Sequence, residues 1–435
     1  MQQTVDLKQL YDNIDAHQFE YKGDSEEDAV QFRTYKRADF FEACGVSSTT
    51  ALSNKLAELQ KMHEDEFGTP LELGFQPTPK GHYEYTLAEV YKIIELCRQV
   101  EKQAKKRGKL KVQKKFRRHR ARIIAVANQK GGAGKSTGAM HIAVGQAIMD
   151  FAEARVLIVD YDPQGTVHSF VEGTYLSLTE TKTLCRYLMN EYVDEHDSEE
   201  DGADNDVSRR EFLRNEIIRP TLIPNLDYCV ALTKDNALEG HLAQLEFGAL
   251  DEFDKNSFNR DLEGSDVYQI FKKRFIDLIA EDYDFIIIDS APHNNTFIKA
   301  MLYAIEELVI TAPTRAMDFE STCNFVKSTF EAFDDFKQLD NHAGLPALTI
   351  LPVMYTGSET ARGILHDYTK LFGHHVYPFP ISQKNSMYET MAADSLTVYS
   401  YSTDLTPVMK EVRSEWSKVN DHIRFKALDG EVKED

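Results

Sequence analysis

The sequence predicts a mostly parallel α/β sheet flanked by helices, preceded by an all-α winged helix-turn-helix unit. Three observations carry this expectation. From Ile123 onward, unbroken apolar runs such as VLIVD and FIIID alternate with helical segments. Such runs mark strands buried on both faces, and the alternation implies parallel strands joined by helical crossovers. A glycine-rich turn, GGAGK, follows the first run and opens a helix. Ahead of it, residues 31–101 carry helical spacing instead of apolar strand runs.

Length and composition bound the rest. A chain of 435 residues, 42% hydrophobic and 28% charged, has room for two or three globular domains. No apolar run approaches the ~18 residues of a membrane span, and the acidic N-terminus lacks the apolar core of a signal peptide. The five cysteines lie far apart without a CxxC pair, so a disulfide framework or zinc ribbon is not expected. The expectation is a reduced, cytoplasmic protein without a membrane partner. The net charge of -21 argues against nucleic acid, but the charge is segregated. Residues 102–122 hold twelve of the 50 Lys and Arg and no acid.

In chain order, residues 1–30 are polar with one apolar stripe (Val5, Leu7, Leu10, Tyr11, Ile14), expected as an N-terminal helix and dimerisation arm. In 31–101, the segment Ala38–Cys44 reads as a helix and Gly45-Val46-Ser47 as a turn with Ser47 as N-cap. Ser48–Leu59 then reads as a recognition helix, GFQPTPKGHYEYT as a wing, and LAEVYKIIELCRQ as a further helix. Ser47, Ser48, Thr49, Thr50, Asn54 and Lys55 are the candidate groove contacts. Residues 102–122 form a basic linker or helix, with Lys114, Lys115, Arg117 and Arg118 as candidate phosphate contacts. The remainder, 123–435, reads as one sheet domain. Its expected strands are Ile123–Asn128, Arg155–Asp160, Leu226–Leu232, Asp284–Asp289, Leu308–Pro313, Leu348–Met354 and His375–Phe379. Glu191–Asp206, with nine acids, is expected as a mobile loop, and 246–264 as a second irregular insertion.

The strongest chemical signal is Asn128-Gln129-Lys130-Gly131-Gly132-Ala133-Gly134-Lys135-Ser136-Thr137. A glycine-rich loop between strand and helix turns its backbone N–H groups onto phosphates, and the helix N-terminus adds partial positive charge. Lys135 would neutralise the β- and γ-phosphates, Ser136 would place its hydroxyl on Mg²⁺, and Thr137 would touch the α-phosphate. Two carboxylate-bearing strand ends follow: VLIVDYDPQGT with Asp160 and Asp162, and YDFIIIDSAP with Asp289. The C-terminal ends of parallel strands are where such sheets bind ligands.

KGGAGKST resembles the deviant Walker A motif, KGGxGK[ST], of the ParA/MinD class of ATPases; Gln129 stands where the standard loop has glycine, and Lys130 is the added lysine. The resemblance covers roughly residues 122–400. It implies ATP/ADP and Mg²⁺ as cofactors, nucleotide contacts across Lys130–Thr137, and an ATP-dependent homodimer in which Lys130 reaches the partner's nucleotide. It also implies that Asp162 orients the attacking water, and that Ser136, Asp160 and Asp289 serve the metal. Within the class, SAPHNNT lacks the cysteine of iron-protein reductases, and RFKALDGEVKED is not a basic amphipathic membrane helix. No tyrosine cluster follows Tyr401. The DNA-partition branch remains, and LVITAPTRAMD with the N-terminal helices resembles the large plasmid-partition ATPases. That implies segregation of a low-copy replicon, specific operator and nonspecific nucleoid DNA as partners, repression of the protein's own operon, and slow hydrolysis stimulated by a ParB-like protein. Lys384 and Arg362 fall nearest the nonspecific DNA surface of the class, although Ser382 stands near where the class has arginine. Two alternatives are a nucleotide-switched repressor without a partition role and a MinD-like positioning ATPase.

Overall fold

The computed structural model describes residues 33–67, 76–77, 83–103, 111–162, 167, 181–189, 191–192, 203–237, 240, 242–243, 264–292, 296–336, 345–393, 397–400 and 406–429. The expected N-terminal arm, residues 163–166 of the DPQG segment and almost all of the 246–264 insertion lie outside these residues.

The N-terminal unit runs α1 (Arg37–Phe40), a turn, α2 (Thr49–Phe67), a short antiparallel hairpin of β1 (Gln76–Pro77) and β2 (Tyr83–Glu84), then α3 (Leu87–Gln103). Its centre is Phe40, Cys44, Leu52, Leu56, Val90, Ile93, Ile94 and Cys97, all buried. Gly45 takes φ +70, and a Cβ there would meet the Val112 backbone at 2.9 Å, so only glycine fits this turn. The N-cap of α2 is Ser48 rather than Ser47: the Ser48 hydroxyl accepts the Ala51 N–H at 3.1 Å. At α3, Thr86 and Glu89 form a reciprocal capping box.

The second unit is a seven-stranded sheet in the order β5-β6-β4-β7-β3-β8-β9. Its strands are β3 (Arg122–Ala127), β4 (Val156–Tyr161), β5 (Ile218–Pro220), β6 (Leu226–Cys229), β7 (Phe285–Ser290), β8 (Glu307–Pro313) and β9 (Ala347–Val353). All pairs are parallel except β5 with β6. The sequence expectation differs from the structure at the two edges. His375–Phe379 adds only one parallel bridge, Ile350 to Val376, and is no strand. The antiparallel edge strand β5 was not expected; a three-residue strand ending in Pro220 carries no periodicity to read. The expected acidic loop also ends early, because a helix begins at Ala203.

On one face of the sheet lie α4 (Lys135–Ile148) and the C-terminal helix α11 (Pro407–Asp429). The other face is covered by α5 (Leu184–Leu188), α6 (Ala203–Phe212), α7 (Thr296–Ala304), α8 (Ala316–Phe336) and α9 (Glu359–Phe372). α10 (Asn385–Ala393) precedes α11. The apolar stripe of α11 (Val412, Trp416, Val419, Ile423, Ala427) is buried against the sheet. No helix among the described residues is long and apolar enough to cross a membrane.

The N-terminal unit shares the core of the α4 face. Tyr91 Oη donates to the Ala147 carbonyl at 2.9 Å, and Phe116 N–H to the Ala152 carbonyl at 2.7 Å. The turn after α4 holds Asp150, Phe151 and Glu153 at φ 57, 53 and 52, a left-handed conformation unusual for such residues. Phe151 packs edge-on against Tyr35 and Phe40, and Glu153 pairs with Arg98 and Lys115.

Part of the basic stretch, residues 104–110, lies outside the described residues. Over 111–121 it forms neither helix nor strand, and several of its cations are engaged within the protein although Lys115, Arg117 and Arg120 stay exposed. Lys115 pairs with Glu95 and Glu153 at 3.1 and 3.3 Å. Arg117 reaches buried Asp284 at 3.5 Å, and Arg118 donates its N–H to Asp284 and its guanidinium to the Ala427 carbonyl. Arg120 and Arg122 pair with Asp277 and Glu307. Lys111 and Lys114 are exposed and make no ion pair among the described residues.

Candidate active site

The loop between β3 and α4 is built by two glycines in the left-handed region, Gly132 at φ +71 and Gly134 at φ +82. Gly134 is the N-cap of α4, so its backbone turn, not a side chain, starts the helix. Among the described residues no atom beyond the chain neighbours lies within 4 Å of where a Cβ would sit on Gly131 or Gly132, which leaves an open cradle there. The free N–H groups of the first turn of α4 face this cradle.

Lys135 is 6% exposed, and burial lowers its pKa while Asp289 and Asp162 pull it back up. Its ammonium donates to the Lys130 carbonyl at 3.3 Å, which arches the loop over the lysine. Among the described residues a carbonyl is its one hydrogen-bond partner, so phosphate oxygens would give this buried ammonium the further acceptors it lacks.

The register of β4 against β7 places Asp160 directly beside Asp289. Both are fully buried. Asp160 accepts the N–H groups of Asp162 and Val167 at 3.2 and 3.1 Å. Neither Asp289 oxygen has a well-formed hydrogen bond among the described residues. Burial pushes Asp289 up to about 7, tempered by the Ser136 hydroxyl and the Lys135 ammonium. Burial, with Asp289 next to it, holds Asp160 well above the usual carboxylate range. An orphaned carboxylate beside a second one and a hydroxyl is a donor set of hard oxygens, which fits Mg²⁺. Ser136 and Asp289 would hold the ion, and Asp160, already accepting two amides, would orient the shell.

Asp162 is 7% exposed at the end of β4 and is the last described residue of the DPQG segment. Lys130 does not stand free: its ammonium pairs with Asp318 in the first turn of α8. Asn128 is buried at the loop's start. Its amide NH₂ donates to the Thr311 carbonyl at 2.6 Å and to Thr322 Oγ1 at 3.1 Å, and its Oδ1 accepts the Lys130 N–H at 3.0 Å. Sequence reasoning gave neither Asn128 nor Asp318 a role. The Asn two residues before Lys130 is an Asx-turn signal that could have been read; the Lys130–Asp318 pair spans 188 positions and could not.

The structure brings Lys130, Gly131, Gly132, Ala133, Gly134, Lys135, Ser136, Thr137, Asp160, Asp162 and Asp289 to one end of the sheet. The candidate DNA residues lie apart. Ser47, Ser48, Thr49, Thr50 and Asn54 are exposed at the start of α2. Lys55 instead donates to the Cys44 carbonyl at 2.8 Å and closes the α1–α2 turn, so its charge is already engaged. Lys384 pairs loosely with Glu411 at 3.8 Å on the rim of a cavity of about 710 Å³ lined also by Tyr355, Gln383 and Asn385.

Residues 121–222 match the family described as "AAA domain". The chain is 26% identical over 210 residues to Escherichia coli plasmid partition protein A, covering 47% of this chain and 46% of that one. It is 28% identical over 248 residues to the SopA protein of Escherichia coli K12, covering 55% and 53%. The chain thus spans about half the length of the curated relatives it matches. A solved structure titled "Partition Protein" has the same fold, with a TM-score of 0.63 at 18% identity over 96% of this chain and 97% of that one. A variant of Cyanothece McdA in complex with ATP aligns at a TM-score of 0.51 and 16% identity, over 70% and 97%. The sequence matches agree with the resemblance to the ParA/MinD class, residues 121–222 carry the AAA-type domain, and the solved structures share its fold.

Proposed function

We propose, from the ParA/MinD-type ATPase domain this chain carries, that it is a partition ATPase of the large class. On this reading it binds ATP and Mg²⁺, dimerises on ATP, binds DNA, and hydrolyses ATP slowly until a ParB-like centromere-binding partner stimulates it. Residues 31–101 act as a winged helix-turn-helix, with Ser47, Ser48, Thr49, Thr50 and Asn54 at the groove. Repression of its own operon follows from that unit. The helix–turn–helix–hairpin–helix order of 37–103 supports the reading. The buried α11 stripe weighs against the MinD-like alternative.

The single observation that carries the proposal is the loop with two lysines, Lys135 buried in the cradle and Lys130 parked on Asp318 at its rim. A cradle lysine suffices to bind phosphates. A second lysine that is held in cis but not inside the cradle is placed to act elsewhere, and a partner's nucleotide is the acceptor the reading supplies.

Phosphoryl transfer needs positioning and charge neutralisation more than covalent help. Lys135 and the loop amides bind and orient the phosphates. When bound, Mg²⁺ would offset phosphate charge at Ser136 and Asp289. Asp162, at the end of β4, orients the attacking water. Lys130 completes neutralisation only after leaving Asp318, so turnover waits on dimerisation.

The test is ATP turnover of the full chain, alone, with DNA, and with DNA plus a cognate ParB-like protein. Stimulation by both supports the partition reading. Nucleotide-dependent operator binding without turnover would replace it with the repressor alternative.

A further inference from the structure

We propose that Asn128 is a positioning residue for Lys130, a role that rests on the reading of Lys130 as a clamp acting across a dimer. Asn128 makes three hydrogen bonds, one to each of three separate pieces of the site. Its NH₂ is pinned to β8 through the Thr311 carbonyl and to α8 through Thr322, and its Oδ1 holds the Lys130 N–H in an Asx-turn. It is fully buried, so no water competes for these bonds.

The geometry on α8 gives the arrangement its meaning. Thr322 and Asp318 stand four apart, on one face of the helix. One face of α8 therefore grips both ends of the tripeptide 128–130, the Asn128 side chain through Thr322 and the Lys130 side chain through Asp318. The two grips differ in kind. The Lys130–Asp318 pair must break for the ammonium to reach any other anion. The Asn128 bonds involve only the Lys130 backbone and need not break. Asn128 thus keeps the base of the Lys130 side chain in place while its tip changes partner. Gln129, exposed between them, takes no part. Without this anchor the lysine would start from a spread of backbone positions, and small misplacements of a charge-neutralising group cost rate steeply.

The experiment is a cycle of full-length variants: Asn128→Ala, Lys130→Ala and both together, each assayed for DNA-stimulated ATP turnover and for affinity for a labelled ATP analogue. Asn128→Ala is expected to lower kcat about tenfold or more, with nucleotide affinity within about threefold of wild type. The double variant is expected to be no slower than Lys130→Ala beyond about twofold, because both changes remove the same event. Wild-type kcat in Asn128→Ala, affinity falling in step with kcat, or losses that multiply in the double variant would each overturn the role. If Asn128→Ala does not fold by circular dichroism, Thr322→Val, which removes one partner at constant shape, enters the same cycle with the same criteria. Lys130→Ala turning over like wild type would overturn the clamp reading itself, and this role with it.

Discussion

At the residue scale, the site separates two lysines that composition alone would treat alike. Lys135 is the cradle cation and Lys130 the rim cation, so their removal should have opposite signatures. Lys135→Ala is expected to abolish binding of a labelled ATP analogue. Lys130→Ala should stay within about tenfold of wild type, or ~1.4 kcal/mol, and lose hydrolysis. Equilibrium binding beside single-turnover hydrolysis distinguishes the two. His141 makes a second residue-scale case. It is buried in α4, its Nδ1 bonded to the Thr137 carbonyl and its Nε2 accepting the Val398 N–H, with its ring stacked on Trp416. Burial lowers its pKa to about 4. The unfolded chain therefore binds the extra proton between about pH 6.5 and 4, so the stability from neutral His141 is complete above 6.5 and lost as pH falls through that window. From pH 7 to pH 5 the loss should approach ~2 kcal/mol. Because the raised carboxylates Asp289 and Asp160 shift stability the opposite way over this window, the loss is read as a difference. Urea unfolding followed by fluorescence of Trp416, the chain's one tryptophan, should show wild type losing that amount relative to His141→Gln.

At the element scale, α4 and the basic stretch each turn on one close contact. Gly145 in α4 has no room for a methyl group: a Cβ would lie 2.2 Å from Asn420 Nδ2 on α11. Asn420 cannot move aside freely, since its amide donates to His141, Tyr399 and Trp416 and accepts from Gln146. Gly145→Ala gains at most ~1 kcal/mol of helix propensity and is set against ~1–3 kcal/mol of overpacking. A net loss of urea stability is the expected sign. In the basic stretch, Arg117 and Arg118 serve Asp284 and the end of α11. Replacing both with Gln should cost about 1–2 kcal/mol of stability, since Asp284 keeps Arg155. Lys114→Gln should be stability-neutral and shallow the log–log salt slope of DNA binding by about 1. Anisotropy titrations over a salt series and urea melts on both variants check this division. These contacts also show where the sequence was legible. The glycine loop, Asp160 and Asp289 are local motifs, each spelled out within ten residues of a strand, and they landed together. Asp284, the acid that Arg117 and Arg118 share, lies more than 160 positions away, so spacing could count the charges but not assign them. The Lys55 contact was hidden for a related reason: its ammonium closes the α1–α2 turn eleven positions back, which helical spacing does not show.

At the scale of the whole molecule, the chain reads as two units joined by a linker, yet it folds around shared walls. Tyr35, Phe40 and Val90 of the N-terminal unit belong to the same buried cluster as Val144, Ala147 and Trp416. Unfolding should therefore be one cooperative step, with tyrosine-rich near-ultraviolet circular dichroism, far-ultraviolet dichroism and Trp416 fluorescence giving coincident urea transitions. Separated transitions would mean that the two units are stabilised independently. The left-handed turn after α4 has a consequence for descent. Asp150, Phe151 and Glu153 hold an unfavourable backbone because Phe151 fits between Tyr35 and Phe40 and Glu153 receives Arg98 and Lys115. Key and lock are thus split between the two halves of one gene. A recombination that exchanged the N-terminal half for another would leave an exposed phenylalanine, an unpaired carboxylate and a strained turn with nothing to stabilise it. The two halves must change together, and the lineage of the N-terminal unit should track that of the sheet domain more closely than a loosely tethered domain would require.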